Sequence, residues 1–206
     1  MTNNLLKAAL TAAALGSIVT LGACSTNDNM PGMGHGTASA SPSSAGNSAP
    51  AADVNDADVM FVQMMIPHHD QAVAMSDMIL AKSGLKPDVQ ALAKQIKAAQ
   101  QPEIDTMNGW LKAWGHDFSP GSGGGHHRGD GGMATEEEMW QLDQAGGATA
   151  QNRYITMMIK HHQGAITMAK TEIDTGKNPA AIQMANNIVT TQRREIAAMN
   201  TLLSGT

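Results

Sequence analysis

Apolar side chains recur at helical spacing in two stretches of the chain, residues 61–80 and residues 154–173. The first stretch reads FVQMMIPHHDQAVAMSDMIL and the second reads YITMMIKHHQGAITMAKTEI. At 100° per residue, Met64, His68 and Met75 fall within about 60° of one another on a helix. Each stretch is therefore predicted to form a helix that carries two thioethers and one imidazole on the same face.

The two stretches are copies of one unit, because matched residues stand at a constant distance in the sequence. His68 and His161 are 93 positions apart (161 − 68 = 93), and so are the methionines four residues before them. Beyond a Gly–Pro turn in each copy the offset is 92, as between Glu103 and Glu195. Each copy predicts a helix, a turn and a second helix, so the pair predicts an all-α four-helix bundle of two tandem helical hairpins.

The bundle is predicted to occupy residues 53–206. It divides into three parts: a hairpin at 53–115, a glycine-rich loop with a short helix at 116–147, and a hairpin at 148–206. Gly84 is predicted to cap the end of the first helix, and Pro67 is predicted to kink that helix. Thr135 and Glu138 have the spacing of a capping box, which predicts where the short helix begins.

The first 52 residues have the pattern of an exported, lipid-anchored protein. Residues 1–23 are predicted to be a signal peptide, because Lys7 precedes an apolar run too short to span a bilayer. Leu-Gly-Ala-Cys resembles the lipobox of bacterial lipoproteins, so Cys24 is the predicted lipidation site; the alternative is an ordinary secretory signal. Residues 24–52 are predicted to be a disordered linker. The expected location is the cell membrane or envelope, facing outside the cytoplasm.

Composition narrows the possible chemistry. The 206 residues include 13 basic and 18 acidic side chains, a formal charge of −5, which argues against a nucleic-acid surface. Aromatic residues make up only 3%, whereas there are 16 methionines. Because Cys24 is the single cysteine, no disulfide within the chain and no thiolate metal site in the bundle are expected. Any soft metal ligand in the bundle must therefore be methionine.

Thioether and imidazole side chains on the two copies form a predicted metal site. The main candidates are Met64, His68, Met75, Met157, His161 and Met168. Further candidates, for the same or a second site, are His69, His162, Met65 and Met158. Such ligands suit Cu(I) and, by analogy, Ag(I), whereas zinc prefers thiolate, imidazole and carboxylate, and calcium and magnesium prefer oxygen. The alternative is duplicated packing without metal, but packing gives no reason for adjacent histidines.

Two carboxylates lie on the mostly apolar stripes of the second helices. Burial of Glu103 or Glu195 would be costly without a partner, and one predicted partner is the second ring nitrogen of His69 or His162. The alternative is a carboxylate at the edge of the stripe, bonded to water or to Arg194. Weak accessory ligands are predicted outside these helices: Met30, Met33, His35, His126 and His127. For the first three of these, the alternative is a low-complexity linker without metal.

The pattern Met-x-x-His-His-x-x-Ala-x-x-Met-Ala resembles the bacterial family known as domain of unknown function 305. Residues 65–76 match it except for serine at the last position, and residues 158–169 match it in full. The resemblance covers about residues 53–203 and implies an exported protein with a ferritin-like fold. Some members are linked to copper binding or copper resistance.

A ferritin-like fold also raises the possibility of a di-iron oxidase. That chemistry needs Glu-x-x-His on inward-facing helices, but Thr106 and Ala198 stand three residues after Glu103 and Glu195. We therefore expect a metal-binding protein without enzymatic activity, which buffers, sequesters or transfers Cu(I) or Ag(I). Its expected partners are the metal ion and, through the lipid, the membrane. The alternative function is a helical envelope module that docks a partner through an exposed apolar patch and ignores metal.

Overall fold

The structure, a computed structural model, describes residues 53–118 and 131–205 and contains five helices in these ranges. They are α1 (Asp56–Leu80), α2 (Pro87–Ala113), α3 (Glu136–Gln144), α4 (Gly147–Thr175) and α5 (Pro179–Ser204). Neither described range contains a strand, which confirms the all-α class. The hairpins α1–α2 and α4–α5 are the two repeat copies, and α3 is the short helix predicted from its capping box.

Several predictions concern residues that lie outside the described ranges. These are the signal peptide, the lipid attachment at Cys24, the linker, and the accessory ligands Met30, Met33, His35, His126 and His127. They remain predictions from the sequence. Within the described ranges, no helix combines the length and the hydropathy that crossing a bilayer requires.

Helix α1 begins at a reciprocal cap and continues through its proline. The side-chain oxygen of Asn55 accepts from the backbone N–H of Asp58 at 3.0 Å, and the Asp58 carboxylate accepts from the Asn55 N–H at 2.7 Å. The prediction that Gly84 caps this helix is wrong, because α1 ends at Leu80 and Ala81 is the capping residue. Gly84 instead lies in the following turn with φ of 72°, a left-handed conformation that glycine adopts readily.

Helices α1 and α4 pack against each other, and each also packs against the second helix of its own hairpin. The side-chain amide of Asn55, just before α1, donates to the carbonyl of Thr175 at the end of α4, at 2.9 Å. Near the other end of the pair, the hydroxyls of Ser76 and Tyr154 are 3.0 Å apart. The start of each helix therefore lies beside the end of the other, so α1 and α4 are antiparallel and the two copies are related by an approximate two-fold axis.

In each repeat copy, one buried side chain binds the backbone of the turn in the other copy. The Asp58 carboxylate accepts from the backbone N–H groups of Lys177 at 2.9 Å and Asn178 at 2.8 Å. Gln151 is the matching residue 93 positions later, and its amide oxygen accepts from the backbone N–H of Lys86 at 2.6 Å. Because buried backbone N–H groups need acceptors, this exchange stabilises both turns and joins the hairpins.

The apolar core consists of two clusters. The first combines the C-terminal half of α1, around Met75, with the N-terminal half of α4, around Tyr154, and it also receives Leu142 from α3. The second combines the N-terminal half of α1, around Phe61, with Ala165 and Ala169 of α4. Along both helices the His-His pairs stand between residues of the first cluster and residues of the second. The core geometry thus places the four histidines near the middle of the bundle.

Candidate metal centre

The imidazoles of His68 on α1 and His161 on α4 face each other across the approximate two-fold axis. Their ring centroids are 3.7 Å apart and their planes are tilted by 36°. Both side chains are buried. The two repeat copies therefore converge at their matched histidines, as the sequence predicts.

Both of these buried imidazoles are neutral at neutral pH. Burial lowers the pKa of His68 to about 3, and the neighbouring His69 and His162 act in the same direction. Burial also lowers the pKa of His161, and the three other imidazoles add to the effect. A neutral imidazole keeps one lone pair, which is the form that binds a metal ion.

The free lone pairs follow from the hydrogen bonds. The Nε2–H of His68 donates to the carbonyl oxygen of Gly131 at 2.9 Å, so Nδ1 of His68 carries the lone pair. That Nδ1 has no protein hydrogen-bond partner among the described residues, and neither ring nitrogen of His161 has one. An unsatisfied polar atom in a protein interior costs about 1–3 kcal/mol. The arrangement provides unshared lone pairs in a buried place, where a cation could satisfy them.

The second histidine of each pair is held by a carboxylate from the second helix of its own hairpin. The Nε2–H of His69 donates to Glu103 at 2.8 Å, and the Nε2–H of His162 donates to Glu195 at 2.8 Å. These are the contacts expected from the sequence, and they differ from the alternative of a carboxylate bonded to Arg194. In both rings Nδ1 has no protein partner among the described groups. Burial lowers the pKa of His162, although Glu195 opposes this shift.

The two carboxylates differ in exposure, which leads to a prediction. The side chain of Glu195 is 3% exposed and that of Glu103 is 27% exposed. If His69 and His162 bind metal, Glu195→Gln is expected to weaken Cu(I) binding by about 10- to 100-fold, and Glu103→Gln by less, because solvent screens the exposed carboxylate. Competition with a Cu(I) chelator measures the affinities.

A second measurement separates orientation of the ring from a general loss of structure. Glutamine can still accept the Nε2–H bond, so NMR of the ring nitrogens is expected to show the same tautomer of His162 in Glu195→Gln. Equal affinities of the wild-type protein and both variants would contradict a role for these carboxylates in metal binding.

The predicted methionine ligands do not all gather at one place. Met75, Met157 and Met158 belong to the first core cluster, whereas Met65 and Met168 belong to or pack against the second. The division follows from the antiparallel packing of α1 and α4. Met75 comes after His68 in α1 and therefore packs beside residues that come before His161 in α4. Met64 is half-buried. Thioethers therefore lie in the core on both sides of the imidazole pair, and their ligation of metal remains a prediction.

Among the described residues, no three His, Cys, Asp or Glu side chains are grouped so that they could hold one ion. Within residues 53–118 and 131–205, a third ligand to an ion held by His68 and His161 would therefore come from another residue type. Thioethers are the soft donors that these two helices carry. This chemistry fits Cu(I) and Ag(I) better than it fits zinc.

Two contacts beside the facing imidazoles were not predicted from the sequence. One is the backbone carbonyl of Gly131, which binds His68, and the other is the side chain of Gln71, which binds the backbone of Ala134. A signal was available for the second, because the repeat has glutamine at 71 and glycine at the matching position 164. No sequence pattern specifies which loop carbonyl reaches a buried imidazole.

A family model described as Domain of unknown function (DUF305) matches residues 58–203. The chain belongs to the DUF305 family. Among curated proteins, Uncharacterized protein L153 of Acanthamoeba polyphaga mimivirus is 41% identical to this DUF305 protein over 51 residues. That match covers 25% of this chain and 34% of the viral protein, so the chain spans about a third of that relative.

Solved structures share the fold of this DUF305 protein. A DUF305 fragment from Deinococcus radiodurans is 30% identical, with a TM-score of 0.65, and the match covers 75% of this chain and 99% of that one. A DUF305 protein from Streptomyces coelicolor, described as a candidate secreted protein, is 32% identical, with a TM-score of 0.67 and coverages of 72% and 93%. CopM in its Cu(I)-bound form is 28% identical, with a TM-score of 0.61 and coverages of 72% and 96%. CopM has also been solved in Cu(II)-bound, Ag-bound and apo forms.

Proposed function

We propose that this DUF305 protein binds Cu(I), and by the same chemistry Ag(I), at the facing imidazoles of His68 and His161, and that it buffers or transfers the ion without catalysing a reaction. The observation that carries the proposal is the geometry of these two rings. They are buried, lie 3.7 Å apart, and carry lone pairs without a protein partner among the described residues. Copper and silver binding by CopM, a solved relative with the same fold, supports it.

The electrostatics favour a monovalent soft ion. The buried imidazoles are neutral, and a thioether is also neutral, so this ligand set brings no negative charge to offset the ion. Burying an unpaired charge is costly and the cost is larger for a divalent ion than for a monovalent one. Glu103 and Glu195 each lie one hydrogen bond behind an imidazole, where they can stabilise a bound cation without contacting it.

The place of action belongs to the same proposal. An export signal followed by a lipid on Cys24 would hold the bundle outside the cytoplasm on a linker of about 28 residues. At about 5–6 Å × √n, such a linker reaches roughly 30 Å on average. The Streptomyces coelicolor relative described as a candidate secreted protein supports export. A bundle on a tether of this length could exchange metal with partners at the membrane surface.

Thermal unfolding tests the proposal, because a ligand that binds only the folded state raises the melting temperature. A free Cu(I) concentration 100 times the dissociation constant is expected to stabilise the protein by about 2.7 kcal/mol. For a domain of this size that corresponds to a rise of roughly 5–11 °C. Melting is measured without oxygen in the presence of a chelator that buffers Cu(I), and again with Ag(I), which needs no reductant.

Two controls sharpen this experiment. Mg²⁺ at the same free concentration is expected to leave the melting temperature unchanged, because the site offers soft nitrogen and sulfur ligands. An unchanged melting temperature with both Cu(I) and Ag(I) would refute the proposal and favour the metal-independent envelope module.

A further inference from the structure

A short segment of the chain, Gly131–Ala134, lies across the seam between α1 and α4; we call it the strap. On the α1 side, the carbonyl of Gly131 accepts from Nε2 of His68 at 2.9 Å. Gln71, one turn further along α1, binds both backbone groups of Ala134: its amide oxygen accepts from the N–H at 2.7 Å and its amide nitrogen donates to the carbonyl at 2.8 Å. The strap is therefore tied to α1 beside the imidazole pair.

On the α4 side the close approach requires glycine in both contacting backbones, Gly132 in the strap and Gly164 in α4. A Cβ built on Gly164 would overlap the carbonyl of Gly131. A Cβ built on Gly132 would lie 2.5 Å from the carbonyl oxygen of Lys160, and Gly132 also has φ of 81°, which disfavours other residues. The strap thus rests directly on the backbone of α4, three residues from His161.

The repeat copies differ at the positions that meet the strap. Gln71 of the first copy binds it, and the matching Gly164 of the second copy makes room for it. Pro67 of the first copy matches Lys160, whose ammonium nitrogen lies 3.5 Å from the strap carbonyl of Met133. The two copies therefore differ at these positions, and the differences hold the strap over one side of the contact between α1 and α4.

From this arrangement we infer that the strap is a gate over the His68–His161 pair, and that its release from Gln71 and Gly164 controls how fast a metal ion reaches the imidazoles. The inference rests on the proposed function, because it describes access to the same site. In the closed state the Gly131 carbonyl holds the Nε2 proton of His68 and the strap covers the adjacent face of α4. When the strap leaves, the Nε2–H of His68 loses its acceptor and this side of the pair is opened to an incoming ion, for which Nδ1 of His68 keeps the lone pair.

Two variants open the gate by different physical routes. Gln71→Ala removes the two hydrogen bonds to Ala134, which is expected to raise the open population by about 5- to 100-fold. Gly164→Ala places a methyl group where the Gly131 carbonyl lies, and it should keep the helix intact because alanine favours a helix interior more than glycine does. The matched control is Gln163→Ala, which removes an exposed amide next to Gly164.

Two readouts are compared in the wild-type protein and these three variants. In the metal-free protein, NMR measures the exchange rate of the His68 Nε2 proton, which reports opening of the strap. Stopped-flow transfer of Cu(I) from a coloured bicinchoninate complex measures the rate of capture. We expect both rates to rise by about 5- to 100-fold in Gln71→Ala and Gly164→Ala, and to stay at the wild-type value in Gln163→Ala.

The possible outcomes distinguish failure of the gate from failure of the proposed Cu(I) binding. Faster His68 proton exchange with an unchanged rate of Cu(I) capture in both variants would overturn the gate and leave Cu(I) binding intact. Unchanged proton exchange in Gln71→Ala would also overturn it, because the strap would not depend on its ties. If the wild-type protein captures no Cu(I), the proposed function fails and the gate fails with it.

Discussion

Replacing His161 by leucine is expected to weaken Cu(I) binding by at least about 100-fold while leaving the metal-free protein as stable as before. Loss of a residue that only orients a ligand costs about 10- to 100-fold in affinity, so loss of a ligand should cost at least as much. Leucine has a similar volume, and neither nitrogen of His161 has a protein partner among the described residues. Removing unsatisfied polar atoms from a core is neutral or stabilising. Chelator competition and thermal unfolding of the metal-free protein measure the two effects.

The matched control is His116→Leu, which removes an exposed imidazole after α2 and should not change the affinity. The double variant His68→Ala/His161→Ala extends the test by removing both facing rings. An unchanged Cu(I) affinity in the double variant would exclude the proposed site. A large loss of stability in metal-free His161→Leu would show instead that the imidazole is needed for packing.

The second large predicted effect is a loss of folding stability as pH rises. It arises from a buried carboxyl group on α4, far along the helix from the histidines. Glu172 is buried beside Asp58, and burial, together with the hydrogen bond and charge of Asp58, raises the pKa of Glu172 from 4.5 to about 8. Neither oxygen of Glu172 has a donor among the described groups, but a protonated Glu172 can donate its own proton to Asp58. Burial acts to raise the pKa of Asp58, but the N–H groups of Asn55 and Asn178, the hydrogen bond from Glu172 and the N–H of Lys177 together outweigh it, so the pKa is lowered.

These shifts give a signed pH dependence. Below pH 4.5 Glu172 is protonated in both the folded and the unfolded state. Between pH 4.5 and about 8 the unfolded state loses this proton and the folded state keeps it, so the free energy of unfolding falls as pH rises. At 1.36 kcal/mol per pKa unit the loss amounts to roughly 2–5 kcal/mol by pH 9. Urea denaturation at pH 5, 7 and 9 measures it.

Glu172→Gln is expected to remove most of this slope, because a neutral amide takes the place of the protonated carboxyl and can donate to Asp58. Asp174→Asn is the matched control, since it removes an exposed carboxylate two residues away and should retain the slope. If Glu172→Gln lost stability between pH 5 and 9 as steeply as the wild-type protein does, Glu172 would not be the protonated group.

The parts of this structure that the sequence predicted are those that repeat. Periodic apolar positions and the Gly–Pro turns located four long helices, and the constant offset showed that His68 and His161 are matched. Carboxylates on apolar stripes need partners, which led from Glu103 and Glu195 to the adjacent histidines. In each case a local rule and the duplication point to the same arrangement.

The parts that the sequence did not predict depend on contacts between the copies. Antiparallel packing of α1 and α4 decides which methionines share a core cluster, and a repeat pattern gives no direction of packing. Asp58 reads as a helix-capping residue, and only the fold shows that it also binds the turn before α5. Glu172 has no carboxylate at the matching position of the first copy, which carries Ile79, so the duplication gave no indication of its burial.

The strap has a consequence for how a protein of this kind can descend from a single hairpin. Two identical hairpins can pair with perfect symmetry, and each could then keep glutamine at the position of Gln71. Fusing them introduces one covalent connection, which can pass over only one side of the pair and so meets different surfaces of the two halves. Glycine at position 164 is therefore a requirement of the fused chain. In a chimera carrying the first-copy sequence twice, the glutamine at this position would overlap the connecting segment at the carbonyl of Gly131.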